Sequence, residues 1–251
     1  MGLLRDILAR SRDGLVELGR ELRRPAGLAM LVVTLVLLTR WSLTEPTGAA
    51  LLRPLWAALA RLSPLFLEGL VQHQVISIVL QLVVPVLVIW LVHRKRLRDF
   101  GLGAGEPRFW LPIAAAVFAI QLPVVAFYLG RDPVYRRRYP SLAAARHGGA
   151  VFWIWESSRL LYMLSWEFLF RGYLLFALEP SQGTLACVTQ MIPFVLMHII
   201  SNKPISEVYF TVGSGVLSGL LALLARSAWP VVLLHGVGAV LLDVVIVHTG
   251  S

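Results

Sequence analysis

The stretch "SWEFLFRGYLLFAL", residues 165–178, decides the fold. It sets Glu167 and Arg171 four residues apart in a run that is otherwise apolar, aromatic or small. A helix brings positions i and i+4 onto one face, so the two charges can pair there. A lone charge at the centre of a membrane helix costs roughly 2.5–3.5 kcal/mol on insertion scales. Two readings of the pair follow. Either it is an ion pair that fixes helix register, or the guanidinium holds a carboxylate in place for proton chemistry.

The flanking sequence puts this helix in a membrane. Of 251 residues, 57% are hydrophobic and 15% charged, with a mean hydropathy of +0.74; a soluble domain has about 45–50% apolar and 25% charged residues. The excess falls in blocks of about 17–25 residues, the length that crosses a hydrocarbon core of about 30 Å. The pattern predicts an all-α, polytopic transmembrane helical bundle of about seven to eight spans. Seven are clear, at 26–45, 74–93, 109–130, 150–178, 184–200, 207–226 and 229–248. Residues 51–70 carry two arginines, two prolines and a glutamate, and read as interfacial or re-entrant.

Residues 1–25 place Leu3, Leu4, Ile7, Leu8, Leu15, Leu18 and Leu22 among many charges. That spacing makes one apolar stripe, suited to a helix lying on the membrane surface. It is too charged for a signal-peptide core, so 26–45 reads as a retained anchor. The chain thus divides into an amphipathic helix (1–25), N-terminal spans (26–150) and a C-terminal core (151–251).

The net charge of +9 is mostly arginine, lysine occurring only at Lys95 and Lys203. These residues crowd the segment ends, where they meet anionic head groups. The bilayer is the expected partner, and nucleic acid is not. The basic N-terminus and the loop 94–108 both point to the cytoplasm. The loop 131–146, with five arginines, then falls on the far side. The arginine-over-lysine bias points to a GC-rich bacterium and hence to its plasma membrane. The single cysteine, Cys187, excludes an internal disulfide and reads as core filler.

The ionisable residues within spans are Glu156, Arg159, Glu167, Arg171, His198, Glu207, His235 and Asp243, all in the C-terminal hundred residues. Such clustering marks a site. Glu156 lies eleven residues before Glu167, three turns away on roughly the same face, where it supports or lines a polar path. A lone histidine in an apolar helix is usually a packing residue. Two beside a Glu–Arg pair make a hydrolytic set, in which the carboxylate takes a proton from water while imidazoles orient the water or stabilise the oxyanion. Gly236 and Gly238 beside His235 permit close approach. No cofactor is expected. Glu167, His198, His235 and Asp243 are metal-ligand types, but no H-E-x-x-H pair occurs. Ser214 and Ser218, near His235 across a helix interface, offer a serine mechanism. "VGSGVLSG" reads better as small-residue packing through Gly215 and Gly219.

The order "WEFLFRG" (166–172), "FVLMH" (194–198) and "HGVGA" (235–239) resembles the CPBP family of intramembrane proteases, the CAAX-prenyl-endopeptidase and bacteriocin-self-immunity group. Its hallmarks are E-E-x-x-x-R, then F-x-x-x-H, then H-x-x-x-N or H-x-x-x-D. The resemblance implies a polytopic helical protease, with Glu167 as the family's second glutamate, Arg171 as its arginine, and His198 and His235 as its histidines. Two positions depart. Trp166 stands where the family has its first, water-activating glutamate, and Ala239 where it has Asn or Asp. Asp243, one turn beyond Ala239, shares its face. Trp166, Glu156, Asp243 and Glu207 are expected to support the site. The "WEF-x-FRG" form is also similar to bacterial branches that process C-terminal sorting tails of surface proteins.

The resemblance implies that Glu167 activates water alone and that the substrate is a membrane-anchored protein or peptide. A non-catalytic scaffold or immunity factor, motivated by Trp166 and Ala239, and a proton-coupled transporter are the competing readings.

Overall fold

The computed structural model describes residues 2–201 and 203–249, and side chains from residue 10 onward apart from Leu67. Every element among the described residues is helical. Helix α1 (Gly2–Leu22) precedes α2 (Pro25–Thr44), which opens on Pro25, a residue whose missing N–H is harmless at a helix start. Leu15 and Leu18 of the expected surface stripe are exposed, so α1 does not bury them in the bundle. The side chains of Leu3, Leu4, Ile7 and Leu8 lie outside the described residues, as do Met1, Gly250 and Ser251.

The ambiguous segment after α2 is a series of short helices, Pro46–Leu51, Arg53–Leu59 and Pro64–Leu67, each begun by or near a proline and too short to cross a bilayer. Then come α3 (Gly69–His93) and α4 (Pro107–Arg131). A continuous helical stretch, Gly149–Ile200, follows. It turns at Gly183, whose φ of +56° lies in the region glycine adopts without strain. The turn separates α5 (149–182) from α6 (Ala186–Ile200). Helices α7 (Ile205–Ala225) and α8 (Trp229–Thr249) complete the chain.

Among the described residues, six helices are long and apolar enough to cross a membrane, with 149–200 taken as one. The hydropathy blocks 150–178 and 184–200 fall within this one stretch, on either side of the turn at Gly183–Leu185, which accounts for six against seven. Their outer faces expose large apolar side chains such as Leu35, Leu38, Ile120, Phe127 and Leu217. Soluble monomers rarely expose apolar side chains on this scale. The protein is an integral membrane protein, a polytopic all-α bundle.

The centre of the bundle is the opening stretch itself. Every residue from 165 to 178 is buried, as expected of a helix apolar all round. Helix α8 runs antiparallel to α5. His235 meets Glu167, and Asp243 meets Arg159. Both partners step by eight residues in opposite senses, so the two contacts lie roughly 12 Å apart along the axes at 1.5 Å per residue.

Helices α6 and α7 pack through Gly215 and Gly219. A Cβ on Gly219 would come within 2.8 Å of Gln190 Nε2 and 3.3 Å of the Cys187 Cα. The Gln190 amide donates to the carbonyls of Cys187 and Gly215, both at 2.9 Å, and binds the helices together. Gly219→Val is therefore expected to force them apart at a cost of about 1–3 kcal/mol. Thermal unfolding of the detergent-solubilised protein checks this, and an unchanged midpoint would refute it.

The connections sort to two ends. At one, Ala228 N–H donates to Gly101 at 2.9 Å and Glu106 N–H to Ala225 at 2.9 Å, joining the loops 94–106 and 226–228. At the other, Lys203 Nζ donates to the Tyr139 hydroxyl at 2.6 Å and Arg136 to Thr249 at 3.3 Å. The loops 131–148 and 201–204 meet there, over the site.

Candidate active site

Glu167 is the last residue of a regular helical segment, Gly149–Glu167; the next seven, Phe168–Leu174, form a π-helical turn, a local widening often found at functional positions. Glu167 and Arg171 are each about 1% exposed. Arg171 Nη1 lies 3.1 Å from Glu167 Oε2, and its guanidinium sits 3.7 Å over the Phe194 ring. The other carboxylate oxygen, Oε1, accepts from His235 Nδ1 at 2.5 Å. Each oxygen of Glu167 thus has a designated neighbour, a cation on one side and an imidazole on the other.

His198, near the end of α6, is fixed differently. Its Nδ1 donates to the Phe194 carbonyl at 2.9 Å, and its ring packs on Phe194 (4.5 Å) and edge-on to Trp166 (5.8 Å). A carbonyl or an ionised carboxylate only accepts, so Nδ1 is the protonated nitrogen in both histidines. In the neutral ring that leaves Nε2 of each with its lone pair free. Both imidazoles are therefore built as proton acceptors.

The two rings line one cavity of about 80 Å³. Its apolar wall is Met163, Trp166 and Met197; its polar wall is Tyr162, Ser201, Lys203 and Glu207 with the histidines. Glu167 and Arg171 lie behind His235 and do not face it. Trp166 is wall: 5% exposed, packed on Phe170 (5.1 Å) and Phe194 (5.9 Å). Glu207 pairs with Lys203 at 2.8 Å. Burial works against the Lys203 charge, but Tyr139 and Glu207 outweigh it and lift the ammonium above the usual lysine range.

Glu156 and Asp243 are elsewhere. Both carboxylates face Arg159, with Glu156 Oε1 at 3.5 Å and Asp243 Oδ2 hydrogen-bonded to the same Nη1. Neither lines the cavity, so Asp243 is not in the place of the asparagine missing at Ala239. The reason is geometric: two helical turns past His235, it meets Arg159 on the antiparallel helix. Among the described residues, no three His, Cys, Asp or Glu side chains gather as a metal group. Ser214 is half-buried and donates to the carbonyl of Phe210 at 2.9 Å, and it does not line the cavity.

Two polar features lay outside the sequence reading. Arg40, in the last turn and a half of α2, is 4% exposed. Its Nη1 donates to His73 Nε2 at 2.8 Å, and its guanidinium lies 5.7 Å over the Trp166 ring. An arginine inside an otherwise apolar 26–45 was the available signal. Lys203 gave none, being in a loop whose partner, Tyr139, is 64 residues away.

The site coincides with the part of the chain that matches a known family. Residues 149–241 match the family model described as "Type II CAAX prenyl endopeptidase Rce1-like", a description in keeping with the family that the motifs of this segment resemble. It holds Glu167, Arg171, His198 and His235 together with Trp166 and Lys203. No curated protein and no solved structure matches the chain.

Proposed function

We propose that this chain, whose Rce1-like segment carries the whole site, is a glutamate-dependent intramembrane endopeptidase acting on a membrane-anchored protein or peptide. One observation carries the reading most of the way: His235 faces the cavity while its Nδ1 is held by the buried Glu167. A carboxylate behind a histidine fixes the tautomer and stabilises the imidazolium that forms on proton uptake.

In this mechanism His235 Nε2 takes a proton from water as the water oxygen attacks the scissile carbonyl. Glu167, itself held by Arg171, stabilises the resulting imidazolium. His198 Nε2 accepts the second hydrogen of the same water and aims its lone pair. When the C–N bond breaks, the proton on His235 passes to the leaving nitrogen. Water activation thus depends on Glu167 but runs through His235. The family's description favours a prenylated C-terminal tail as substrate. The basic N-terminus favours the cytoplasmic face of a bacterial plasma membrane for α1.

A test uses the purified protein in lipid vesicles with two probes, a farnesylated peptide ending in a C-a-a-X tetrapeptide and a single-span reporter with an apolar C-terminal tail. Cleavage of at least one is expected by mass spectrometry. His235→Ala is expected to lower it about 10²–10⁴-fold, the usual weight of a general base. Equal cleavage by that variant, or none by the wild type, overturns the reading. The second outcome would favour a non-catalytic scaffold, for which Trp166 and Ala239 are the supporting residues.

A further inference from the structure

Hydrolysis through a tetrahedral intermediate needs a hydrogen-bond donor where the carbonyl oxygen becomes negative. The two imidazoles do not supply one at the outset. Their Nδ1 protons are committed to Phe194 and Glu167, which leaves Nε2 as an acceptor on each. Ala239, one turn past His235, has no polar side chain. The imidazoles and Ala239 therefore provide acceptors for water but no donor for the oxyanion, which must come from another lining residue.

Among the cavity's lining residues, Lys203 is the fixed cation. Its ammonium has three N–H donors. One goes to the Tyr139 hydroxyl at 2.6 Å and one to Glu207 Oε1 at 2.8 Å, which leaves a third. The backbone ties it to the reacting centre as well: Lys203 N–H donates to the His198 carbonyl at 3.2 Å, closing the end of α6. Tyr139 and Glu207 fix the head, and His198 fixes the root. The side chain is about a quarter exposed, on the cavity side.

We propose that Lys203 is the oxyanion donor of this site, a catalytic residue that takes the place left without a polar side chain at Ala239. This rests on the protease reading. Lys203 keeps its proton throughout. It hydrogen-bonds the oxygen that gains charge as water adds and loses it as the C–N bond breaks, while the transferred proton travels by His235. Tyr139 and Glu207 act through Lys203 as positioning residues.

The test uses the full chain in vesicles with the two probes named above. Lys203→Met is expected to lower kcat about 10²–10³-fold, the effect of removing one oxyanion donor, with KM within about threefold of wild type, because the donor acts mainly on the transition state. Tyr139→Phe keeps the charge and loosens its aim, so it should fall between the two. The decisive arm is Lys203→Met with Ala239→Asn: a donor restored one turn from His235 should recover about tenfold or more in kcat. A merely structural lysine would give a raised KM or a lowered thermal midpoint, and no recovery from Ala239→Asn.

Two outcomes overturn the proposal while leaving the protease reading intact. One is wild-type kcat in Lys203→Met with His235→Ala inactive. The other is loss of kcat that Ala239→Asn leaves unchanged in a protein of wild-type stability. Absence of cleavage by the wild type removes both readings together.

Discussion

Glu167→Gln should lower cleavage on the order of 10³–10⁴-fold while the protein accumulates normally. The two carboxylate oxygens explain both halves of that result. The glutamine carbonyl can keep the contact with Arg171, which also retains the Phe194 ring 3.7 Å from its guanidinium, so the helix stays assembled. The amide NH₂ then faces His235 Nδ1, and two donors cannot share a hydrogen bond. The ring must switch tautomer, placing the proton on Nε2 and removing the lone pair that accepts from water. The corresponding Asp→Asn change behind a serine protease's catalytic histidine costs about 10⁴ in kcat for this reason. Cleavage of the farnesylated and single-span probes, normalised to protein in the membrane, measures it. Retained cleavage at even a tenth of the wild-type rate would show that Glu167 serves only helix register.

The largest stability effect is expected at a site that touches no substrate. Asp243 is 0% exposed and Arg159 6%, and Asp243→Ala leaves the guanidinium with Glu156 alone, 3.5 Å away. Breaking one partner of a buried ion pair costs about 3–5 kcal/mol, whereas replacing the whole set by apolar side chains of similar size is often neutral. The single variant should therefore lose most of its cooperative thermal transition. The triple variant Asp243→Leu, Arg159→Met, Glu156→Leu should regain most of it. If Asp243→Ala unfolds at the wild-type temperature, the cluster is not holding α5 to α8. The triple variant also tests whether that contact aligns Glu167 with His235, since it restores packing without restoring the ionic contact.

Fold class and the helices near the site were legible because single stretches carry them. Residues 165–178 announce a fully buried helix by being apolar on every side, and the one charged pair in it sits at helical spacing. His198 and His235 group with Glu167 by residue type, as ionisable side chains within the C-terminal spans, and the family pattern picks out the same set; the contact itself joins side chains 68 residues apart. What could not be read is what depends on distant partners. Arg159 and Asp243 are 84 residues apart, and only the antiparallel pairing of α5 and α8 brings them together. Arg40 is central because α2 lies against the π-helical turn of α5, not because of anything near it in sequence. The tautomers of the two histidines follow from which nitrogen meets an acceptor, a feature with no signature in the sequence. Gly183 ends one helix and admits the next with one left-handed residue, too small a break for a hydropathy pattern to locate well.

The small size of the cavity has a consequence for which proteins are spared. About 80 Å³ of it is open to water, room for several water molecules, while a long peptide segment in extended form is larger. Trp166 and Tyr162 hold that narrow shape on one side, and the Lys203–Tyr139 contact holds it on the other. A neighbouring span drifting past in the bilayer keeps its backbone hydrogen bonds and stays helical. Under the protease proposal, a chain must unwind to reach the two histidines. Discrimination then lies in the work of entry, and the hydrolytic groups need not distinguish one peptide bond from another.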